Sequence, residues 1–339
     1  MDDTFQDFPY GARHTLRYDE PAPLTLIETE LFAVHLLFSA ALPFISPRAR
    51  STTLRSFCFL RIDSASPCAL SALLPVVGRL RSLLSFATST QNAVTFLGAF
   101  AERDDAESLP KRVDPKRRLE FLPVDDPDDS ATGSDVLYPH HMLFTLGDDQ
   151  AQSLRATRAW LEAWPRIGPL IQLFLGATQA SDLYQEHAFL SLVQALEGFH
   201  RITSSNQIVP RAQHRERMKR IVHSVDAADR DFVCKALQYS NEPSLRQRLE
   251  SLLNLGLATA PDFMGQPAEF LKRTVATRHY FSHFAPGLRA KAAGSLEIYG
   301  IVFVLRALFE MVTLLHFGWS ESAVREVIGR CLENRPTRG

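Results

Sequence analysis

The spacing of hydrophobic and polar positions changes near residue 149. Before that point, short apolar segments with partial alternation and many β-branched or aromatic residues predict strands. One segment, residues 70–90, instead carries a leucine face of helical period. Strands grouped around a single helix are typical of an α+β domain, so we expect one over residues 1–148. The predicted strands are residues 24–38, 54–64, 91–100 and 140–146.

Residues 102–135 interrupt this pattern with charged residues, prolines and turn formers. Their composition predicts an exposed loop with one short strand at residues 119–124. The first 148 residues contain no phosphate-binding loop, no GxGxxG motif and no Ser/His/Asp arrangement. No motif in residues 1–148 therefore predicts a chemical function for them.

From residue 149 to about 335, apolar residues recur at every third or fourth position, which predicts an all-α bundle and a chain that is mainly α overall. We expect a glycine to end the helix at residues 243–258 and Ser320 to cap the last helix. One apolar stripe consists of Phe189, Leu192, Val193, Leu196 and Phe199. The predicted helices are residues 155–167, 169–178, 182–202, 211–225, 243–258, 267–284 and 298–317, with a short one after Ser320.

Composition and charge narrow the function classes. The chain has 339 residues, of which 45% are hydrophobic, and a formal net charge of −1. A nearly neutral chain has no overall basic field, so any contact with nucleic acid would use a local patch. Residues 211–225 are basic and amphipathic, which fits either a solvated helix face or a nucleic-acid patch.

Cysteine usage and hydropathy bear on the location of the protein. Four scattered cysteines without a CxxC pair predict a reducing cytoplasm and argue against a zinc ribbon, and the first thirty residues show no secretory pattern. Residues 298–317 are apolar enough to span a membrane, but they carry Arg306 and Glu310 four positions apart. Such a pair can form on one helix face, so we expect a buried core helix and no membrane.

The segment TVATRHYFSHFAPG, residues 274–287, places an arginine inside an apolar pattern. At about 100° per residue, Arg278 falls in the middle of a helix face that includes Leu271 and Phe281. An arginine is almost never fully buried unless it has a partner or a task. Arg278 is therefore a candidate for a functional or paired cation.

His283 completes the candidate site. Pro286 disfavours helical geometry at the residue before it, so the helix should end near His283, where the helix dipole favours a protonated imidazole. Arg278, about one turn back, can reach the same space. These groups suit RNA cleavage by the RNA's own 2′-hydroxyl, which needs a base for the hydroxyl proton and a cation for the charge on the phosphorane. That reaction requires no metal, and the sequence shows no carboxylate cluster to hold one.

The same residues resemble a known family. Residues 278–283, RHYFSH, are similar to the R-x4-H motif of HEPN ribonuclease domains, with His279 as the polar residue that usually follows the arginine. LSLVQALEGFHR, residues 190–201, resembles the helix that carries the family's acidic residue, here Glu197. With the long apolar helix that follows, the chain looks most like the Apea-like HEPN subfamily over roughly residues 149–333. The first half is more loosely similar to the N-terminal domain of those proteins, although it looks shorter.

The resemblance implies a metal-independent endoribonuclease that uses no cofactor and serves as a toxin or in antiviral defence. HEPN domains commonly dimerise so that two motifs form one cleft, which implies a homodimer with RNA as its substrate. An antitoxin or a phage-derived trigger would be a further partner. Residues 1–148 would form a regulatory or recognition domain, and residues 149–335 the HEPN domain.

The resemblance also implies roles for individual residues. His283 would be the general base or acid, and Arg278 would stabilise the phosphate. His279 would orient or assist, and Glu197 would hold Arg278 or the histidines. The expected substrate-binding residues are Arg201 and Tyr280.

Other interpretations of these residues stay open. Arg278 and Glu197 could be a structural ion pair between two helices, with His283 as a simple cap. His279 and His283 have the spacing of paired metal ligands, although no glutamate lies between them and no clear third ligand follows. The chain could also be a non-catalytic HEPN-type module that binds nucleic acid or nucleotide, or an adaptor whose bundle packs the other half.

Overall fold

The fold has a small sheet near the N-terminus followed by many helices. The computed structural model describes residues 3–4, 15–16, 19–40, 44–46, 51–53, 56–94, 96–102, 116–121, 138–147, 149–180, 183–284 and 286–334. Contacts divide the chain into residues 1–74 and 75–339, and each unit is described by itself. The predicted class, α+β followed by an all-α bundle and mainly α overall, is confirmed. The predicted domain boundary between residues 148 and 149 stays a prediction.

Seven strands occur among the described residues of the first unit. They are β1 (Asp3–Thr4), β2 (Thr15–Leu16), β3 (Leu24–Glu28), β4 (Phe32–Ala40), β5 (Phe44–Ser46), β6 (Ser51–Thr53) and β7 (Ser56–Ser64). β3, β4 and β7 form an antiparallel sheet with β4 in the centre, while β1 pairs with β2 and β5 with β6. The strand predicted at residues 54–64 is confirmed, whereas the segment predicted as one strand at residues 24–38 forms two paired strands, β3 and β4.

The three-stranded sheet buries one set of side chains and carries a polar cluster on the alternate set. Ile27 and Val34 face each other across β3 and β4, and both are buried. His35, the next residue on β4, points to the other face. There its Nδ1 lies 3.0 Å from the hydroxyl of Thr25, and its Nε2 lies 3.3 Å from a carboxylate oxygen of Asp63. The register is thus set by the apolar pair and by this polar contact.

The second unit is dominated by helices. These are α1 (Leu70–Thr88), which begins just before the contact division, α2 (Gln150–Gln179), α3 (Gln185–Thr203), α4 (Arg211–His223), α5 (Arg230–Ala236), α6 (Leu245–Thr259), α7 (Pro267–His283), α8 (Ser295–His316) and α9 (Glu321–Asn334). Short 3-10 turns occur at Pro139–His141, Pro261–Phe263 and Pro286–Lys291, and β8 (Leu97–Glu102) pairs with β9 (Lys116–Phe121). The hydroxyl of Ser320 accepts the N–H of Ala323 at 3.2 Å, which confirms the predicted cap.

α8 lies at the centre of the helical core. Its Phe309 is fully buried and stacks on Phe174 of α2, with ring centroids 4.6 Å apart. Phe199 of α3 meets the same ring edge-on at 5.9 Å. The whole apolar stripe predicted on α3 is buried. Burial of each such side chain contributes about 1.5–3 kcal/mol, so the packing of α2, α3 and α8 stabilises the bundle.

α1 and α8 are long and apolar enough to cross a membrane, and α8 behaves as a core helix. In its most apolar window, 61% of the residues are buried inside the bundle. The Nε of Arg306 lies 3.1 Å from Glu310, whose side chain is 1% exposed, so the predicted pair is present and partly buried. The interpretation of residues 298–317 as a buried helix is therefore confirmed.

The two short helices predicted within residues 155–178 are one helix, so that prediction is wrong. α2 passes through both Pro165 and Pro169. A proline inside a helix costs about 3 kcal/mol because it removes one hydrogen bond and crowds the preceding turn. Trp160 and Ile171, on either side of the prolines, are both fully buried. Packing of one continuous apolar face thus offsets the cost of the prolines.

The strand predicted at residues 140–146 is also wrong. Pro139–His141 forms a 3-10 turn, and the described residues after it are irregular. Leu143 is fully buried and donates its N–H to a carbonyl of α1 at 2.7 Å. The ring of Phe144 packs against Trp319, with centroids 5.2 Å apart. The apolar run is therefore buried by helices and side chains instead of by strand pairing.

Gly256 does not end α6, which continues to Thr259. A Cβ at this position would lie 2.9 Å from Cδ1 of Leu308, so the glycine permits a close approach of α6 and α8. The strands predicted at residues 91–100 and 119–124 are present with shifted bounds, as β8 and β9. The rest of the predicted loop lies outside the described residues.

Candidate functional site

α7 places the motif residues at its C-terminal end. Pro267 lies in the first turn, where no backbone N–H is needed, and the helix ends at His283 as expected. Phe284 adopts the left-handed conformation with a φ of 49° and donates its N–H to the carbonyl of Tyr280 at 2.6 Å. This contact closes the last turn and leaves His283 as the terminal helical residue.

α7 is anchored near the start of α8 by two residues that precede the motif. Arg273 donates to both carboxylate oxygens of Glu297, at 2.7 and 2.8 Å, and to the carbonyl of Lys291 at 2.9 Å. The hydrogen bonds from Arg273 to its carboxylate lower the pKa of the Glu297 carboxyl below its ordinary value. The buried hydroxyl of Thr277 accepts the N–H of Ala293 at 2.8 Å. The direction of α7 is thus fixed before the chain reaches the motif.

Arg278, His279 and His283 are all accessible at this helix end. The side chain of Arg278 is 31% exposed, so it lies at the edge of the buried face and not in its middle as predicted. The buried face is formed earlier, by residues such as Leu271 and Thr274. The rings of His279 and His283 are nearly parallel, with centroids 6.1 Å apart. One guanidinium and two imidazoles therefore share one surface.

Glu197 of α3 approaches this surface, as expected from the sequence. One of its carboxylate oxygens lies 4.0 Å from a terminal nitrogen of Arg278. The other lies 3.8 Å from Arg201, one turn further along α3. The side chain of Glu197 is 25% exposed, so water weakens both attractions. Glu197 can orient Arg278 without locking it in place.

The charged contacts continue from α3 towards α6. Arg201 lies 3.0 Å from Glu242, which also lies 3.3 Å from Arg248. Arg248 is 1% exposed and donates a hydrogen bond to the side chain of Asn206. We call Glu197, Arg201, Glu242, Arg248 and Asn206 the ionic chain. It links Glu197, the acidic partner of Arg278, to the loop that follows α3.

Three members of the ionic chain, Arg248, Glu242 and Asn206, were not predicted from the sequence. Arg248 lies on the same face of α6 as Leu249 and Leu252, both of which are buried. A cation on an apolar helix face was the signal that pointed to Arg278, and it would have found Arg248 as well. Glu242 lies in the irregular segment before α6, where no pattern marks it.

Burial and neighbouring cations set the protonation of two histidines. The pKa of His279 is lowered, first by partial burial and then by the positive charges of Arg278 and His283. The pKa of His200 is also lowered, by burial and by Arg248. Both rings therefore favour the neutral form near neutral pH, in which one nitrogen accepts a hydrogen bond or a proton.

Arg201 and Tyr280, the predicted substrate-binding residues, lie on α3 and within the motif on α7, respectively. The side chain of Arg201 is 49% exposed between its two acidic partners. Tyr280 is half-buried and packs against Phe281 and Phe284, with ring centroids 5.3 and 6.0 Å away. Arg201 is thus available to an anion, whereas the ring of Tyr280 already has aromatic neighbours.

A shallow cavity of about 240 Å³ lies beside the ionic chain. Its lining includes His200, Ser204, Asn206, Gln207, Ile208 and Pro243. Neutral hydrogen-bonding groups and an apolar wall suit a flat, polar-edged group such as a nucleobase. This cavity is close in sequence to Glu197 and Arg201, and it was not anticipated from the sequence.

Arg278 supplies a permanent positive charge on this accessible surface, and His279 and His283 supply two imidazoles. Such groups can bind a phosphate and exchange protons with it. The carboxylate of Glu197 is shared between two arginines. Among the residues that the structure describes, no group of three or more His, Cys, Asp or Glu side chains is placed to hold a metal ion.

One comparison with known proteins assigns part of the helical region to a family. Residues 190–323 match the family model described as Apea-like HEPN. The matched range includes both candidate helices, α7 in full and most of α3. Searches of the curated proteins and of the solved structures returned no match. With the motif at the end of α7 and its acidic partner on α3, residues 190–323 form an Apea-like HEPN domain.

Proposed function

We propose that this chain is a metal-independent endoribonuclease that cleaves RNA through attack by the RNA's 2′-hydroxyl. An HEPN domain suggests a nuclease or a nucleotide-binding module. The observation that favours the nuclease is the joint placement of Arg278, His279 and His283 at one accessible helix end, beside Glu197. A binding module needs the cation, but it does not need two imidazoles that can exchange protons.

These residues supply the proton acceptor, the proton donor and the positive charge that the proposed reaction needs. His279 takes the proton from the 2′-hydroxyl as that oxygen bonds to the adjacent phosphorus. Arg278 stabilises the negative charge on the phosphorane, and Glu197 orients Arg278. The bond from phosphorus to the 5′-oxygen then breaks, and His283 gives a proton to the leaving oxygen. The products are a 2′,3′-cyclic phosphate and a 5′-hydroxyl.

The roles of the two histidines follow from their surroundings. His279 has a lowered pKa, so it is neutral at physiological pH and can accept a proton. His283 is exposed at the C-terminal end of α7, next to the ring of His279, and is proposed as the acid. Arg201 is proposed to bind a flanking phosphate, and Tyr280, within the motif, to contact the substrate.

The direct test is incubation of the purified full chain with total RNA and with a synthetic RNA, with and without a chelator. We expect cleavage in both conditions, with a 2′,3′-cyclic phosphate and a 5′-hydroxyl identified by mass spectrometry. Loss of cleavage in chelator, or a 5′-phosphate product, would mean that metal-activated water is the nucleophile. RNA binding without any cleavage would favour the non-catalytic module.

The titration of His279 provides a test that does not require activity. In the wild-type protein, the NMR titration midpoint of its ring should lie below the ordinary imidazole value of about 6.5. Because a base must be neutral, the rate should stay high as the pH falls to 6.5 and be lost only below that value. Arg278→Gln should move the midpoint upward, since it removes one positive neighbour. Lys272→Gln, on the exposed side of the same helix, is the control and should leave the midpoint unchanged.

We also propose a homodimer in which two motifs face each other across a twofold axis. α8 is largely buried in the bundle and leaves little apolar surface for an interface. Phe284, directly after the motif, is 69% exposed and is the better candidate contact. Aspartate tolerates its left-handed backbone, so Phe284→Asp should keep the fold but give a monomer in sedimentation at micromolar concentration. Tyr184→Asp, at a comparably exposed site, should remain dimeric, and a fully active wild-type monomer would contradict the proposal.

The biological setting is proposed to be toxin-like or antiviral defence in the cytoplasm. The support is the resemblance to HEPN ribonucleases, in which RNA degradation is held back by an antitoxin or released by a phage-derived trigger. Expression of the wild-type chain in a bacterial host is then expected to arrest growth, while the His283→Ala variant is tolerated at the same protein level. Equal growth of the two strains would argue against a toxin.

A further inference from the structure

The segment between α3 and α6 forms a helical hairpin without a core of its own. We call residues 204–243, which include α4 and α5, the basic hairpin. The structure describes every residue from Arg201 to Gln247, and none of their side chains is buried. A surface segment with so little buried area of its own is a candidate for binding a partner.

Positive charge is concentrated on α4. This helix carries five Arg and Lys side chains and one Glu, whereas the whole chain has a formal net charge of −1. All five basic residues are exposed: Arg211, Arg215, Arg217, Lys219 and Arg220. The charge is therefore a local patch of the kind that a polyanion requires on a nearly neutral protein.

The basic side chains of α4 point away from the rest of the hairpin. The half-buried face of α4 includes His214 and Met218, whose side chains approach the hydroxyl of Ser240 at 3.4 and 3.9 Å. Arg211 and Arg215 lie one turn apart at the edge of this face and project into solvent. Successive turns of α4 thus present a row of cations.

Two exposed aromatic side chains lie on the same hairpin as these cations. Phe232 on α5 is 73% exposed, and Tyr239 just after α5 is 68% exposed. α5 packs against α4, so the rings and the cations belong to one small structure. Single-stranded nucleic acid is bound by this combination, in which cations track the phosphates and bases stack on aromatic rings.

The base of the hairpin is tied to the candidate active site. Asn206 and Glu242, at its two ends, both contact Arg248, and Glu242 also contacts Arg201. The side chain of Asn241 pairs with the backbone N–H and carbonyl of Val209 and closes the base. The hairpin is therefore held next to the ionic chain that reaches Arg278.

We propose that the basic hairpin is the docking surface for single-stranded RNA flanking the scissile phosphate. The proposal deepens the ribonuclease function and rests on it for the identity of the nucleic acid. Charge decides the occupant, because a second copy would bring the same cations and be repelled. A hairpin with exposed rings as well as cations suits an unpaired strand better than a duplex, whose bases are already stacked.

The test measures binding of a 20-nucleotide 2′-O-methyl RNA, which cannot be cleaved by 2′-attack. Arg211→Ala/Arg215→Ala should raise Kd roughly tenfold and reduce the slope of log K against log salt by about 1.4, at about 0.7 per phosphate contact. Arg155→Ala/Arg158→Ala removes two exposed cations from α2 and should change neither quantity. Thermal unfolding monitored by circular dichroism should be the same for all variants, because every changed side chain is exposed.

A second variant separates stacking from charge. Phe232→Ala/Tyr239→Ala should also raise Kd roughly tenfold but leave the salt slope unchanged, because no phosphate contact is lost. Duplex RNA of the same length should bind more weakly than the single strand. Tighter binding of the duplex, or unchanged binding by both hairpin variants, would overturn the proposal.

The outcomes distinguish this proposal from the ribonuclease function. Weaker binding by the hairpin variants with no cleavage by any protein would uphold the docking surface and reject the enzyme. Cleavage by the wild type with equal RNA binding by all variants would do the reverse. If the wild type does not bind RNA and its hairpin instead binds an acidic polypeptide such as polyglutamate, the occupant is an acidic protein and the RNA proposal is wrong.

Discussion

Replacing Arg278 or His283 by alanine is expected to abolish RNA cleavage while leaving the chain folded. Loss of a general acid typically costs about 10²–10⁴-fold in rate, and loss of a preorganised charge stabiliser about 10²–10³-fold. Arg278 is 31% exposed and lies 4.0 Å from a hydrated Glu197, so its removal should change the free energy of unfolding by less than about 1 kcal/mol. His283 is exposed at the end of α7, and alanine is well tolerated there.

The measurement pairs initial cleavage rates with chemical unfolding and sedimentation of each variant. Lys272→Ala, an exposed cation on the same helix, is the control and should retain both activity and stability. If the Arg278 and His283 variants lose several kcal/mol and unfold, the pair with Glu197 is structural and the catalytic assignment is wrong. If both variants stay folded and cleave at the wild-type rate, the site lies elsewhere.

A single 2′-deoxy sugar at the scissile position is expected to block cleavage at that phosphate completely. The proposed nucleophile is the 2′-oxygen of the substrate, so its removal leaves no group to attack the phosphorus. RNA of the same sequence should be cut at this position, and DNA should remain intact. Binding measured in parallel should differ little between the two oligonucleotides, because the phosphates and bases are unchanged.

The position of the substitution supplies the control for this experiment. A 2′-deoxy sugar placed one nucleotide away on either side should leave cleavage at the original site intact. Continued cleavage of the oligonucleotide that lacks the scissile 2′-hydroxyl would show that water is the nucleophile. In that case the roles proposed for His279 and His283 would both fail.

Periodicity predicted the helices that bury a single continuous stripe. The stripe of α3 and the long apolar pattern of α8 were recognised because nearly every third or fourth position is apolar, and both helices lie in the core. The antiparallel strands β4 and β7 were recognised from partial alternation and aromatic content. In these elements the local pattern and the tertiary contacts agree.

The errors occur where tertiary packing outweighs a local signal. Two prolines predicted a break in α2, but burial on either side of them preserves one helix. Gly256 was expected to end α6, yet the close approach of Leu308 explains the glycine without a helix end. The apolar run around Leu143 was taken for a strand because a short apolar segment does not reveal whether a sheet or a set of helices will cover it.

Some residues of the candidate site could be predicted from the sequence, and others could not. Arg278, His279 and His283 could be found from the sequence because they lie on one helix and depend only on its end. Glu197 required the additional step that two apolar stripes pack together. The connection from Arg201 through Glu242 to Arg248 joins three separate segments, and no spacing rule along the chain predicts it.

Because no side chain between Arg201 and Gln247 is buried, we expect this segment to unfold locally before the rest of the bundle. Backbone amides of α4 and α5 are expected to exchange with deuterium through small local fluctuations, while those of α8 exchange only when the whole bundle unfolds. The same independence lets substitutions accumulate in the hairpin without a cost to the core. Substitutions at exposed positions of the hairpin can therefore change what it contacts without altering the helix end that carries the motif.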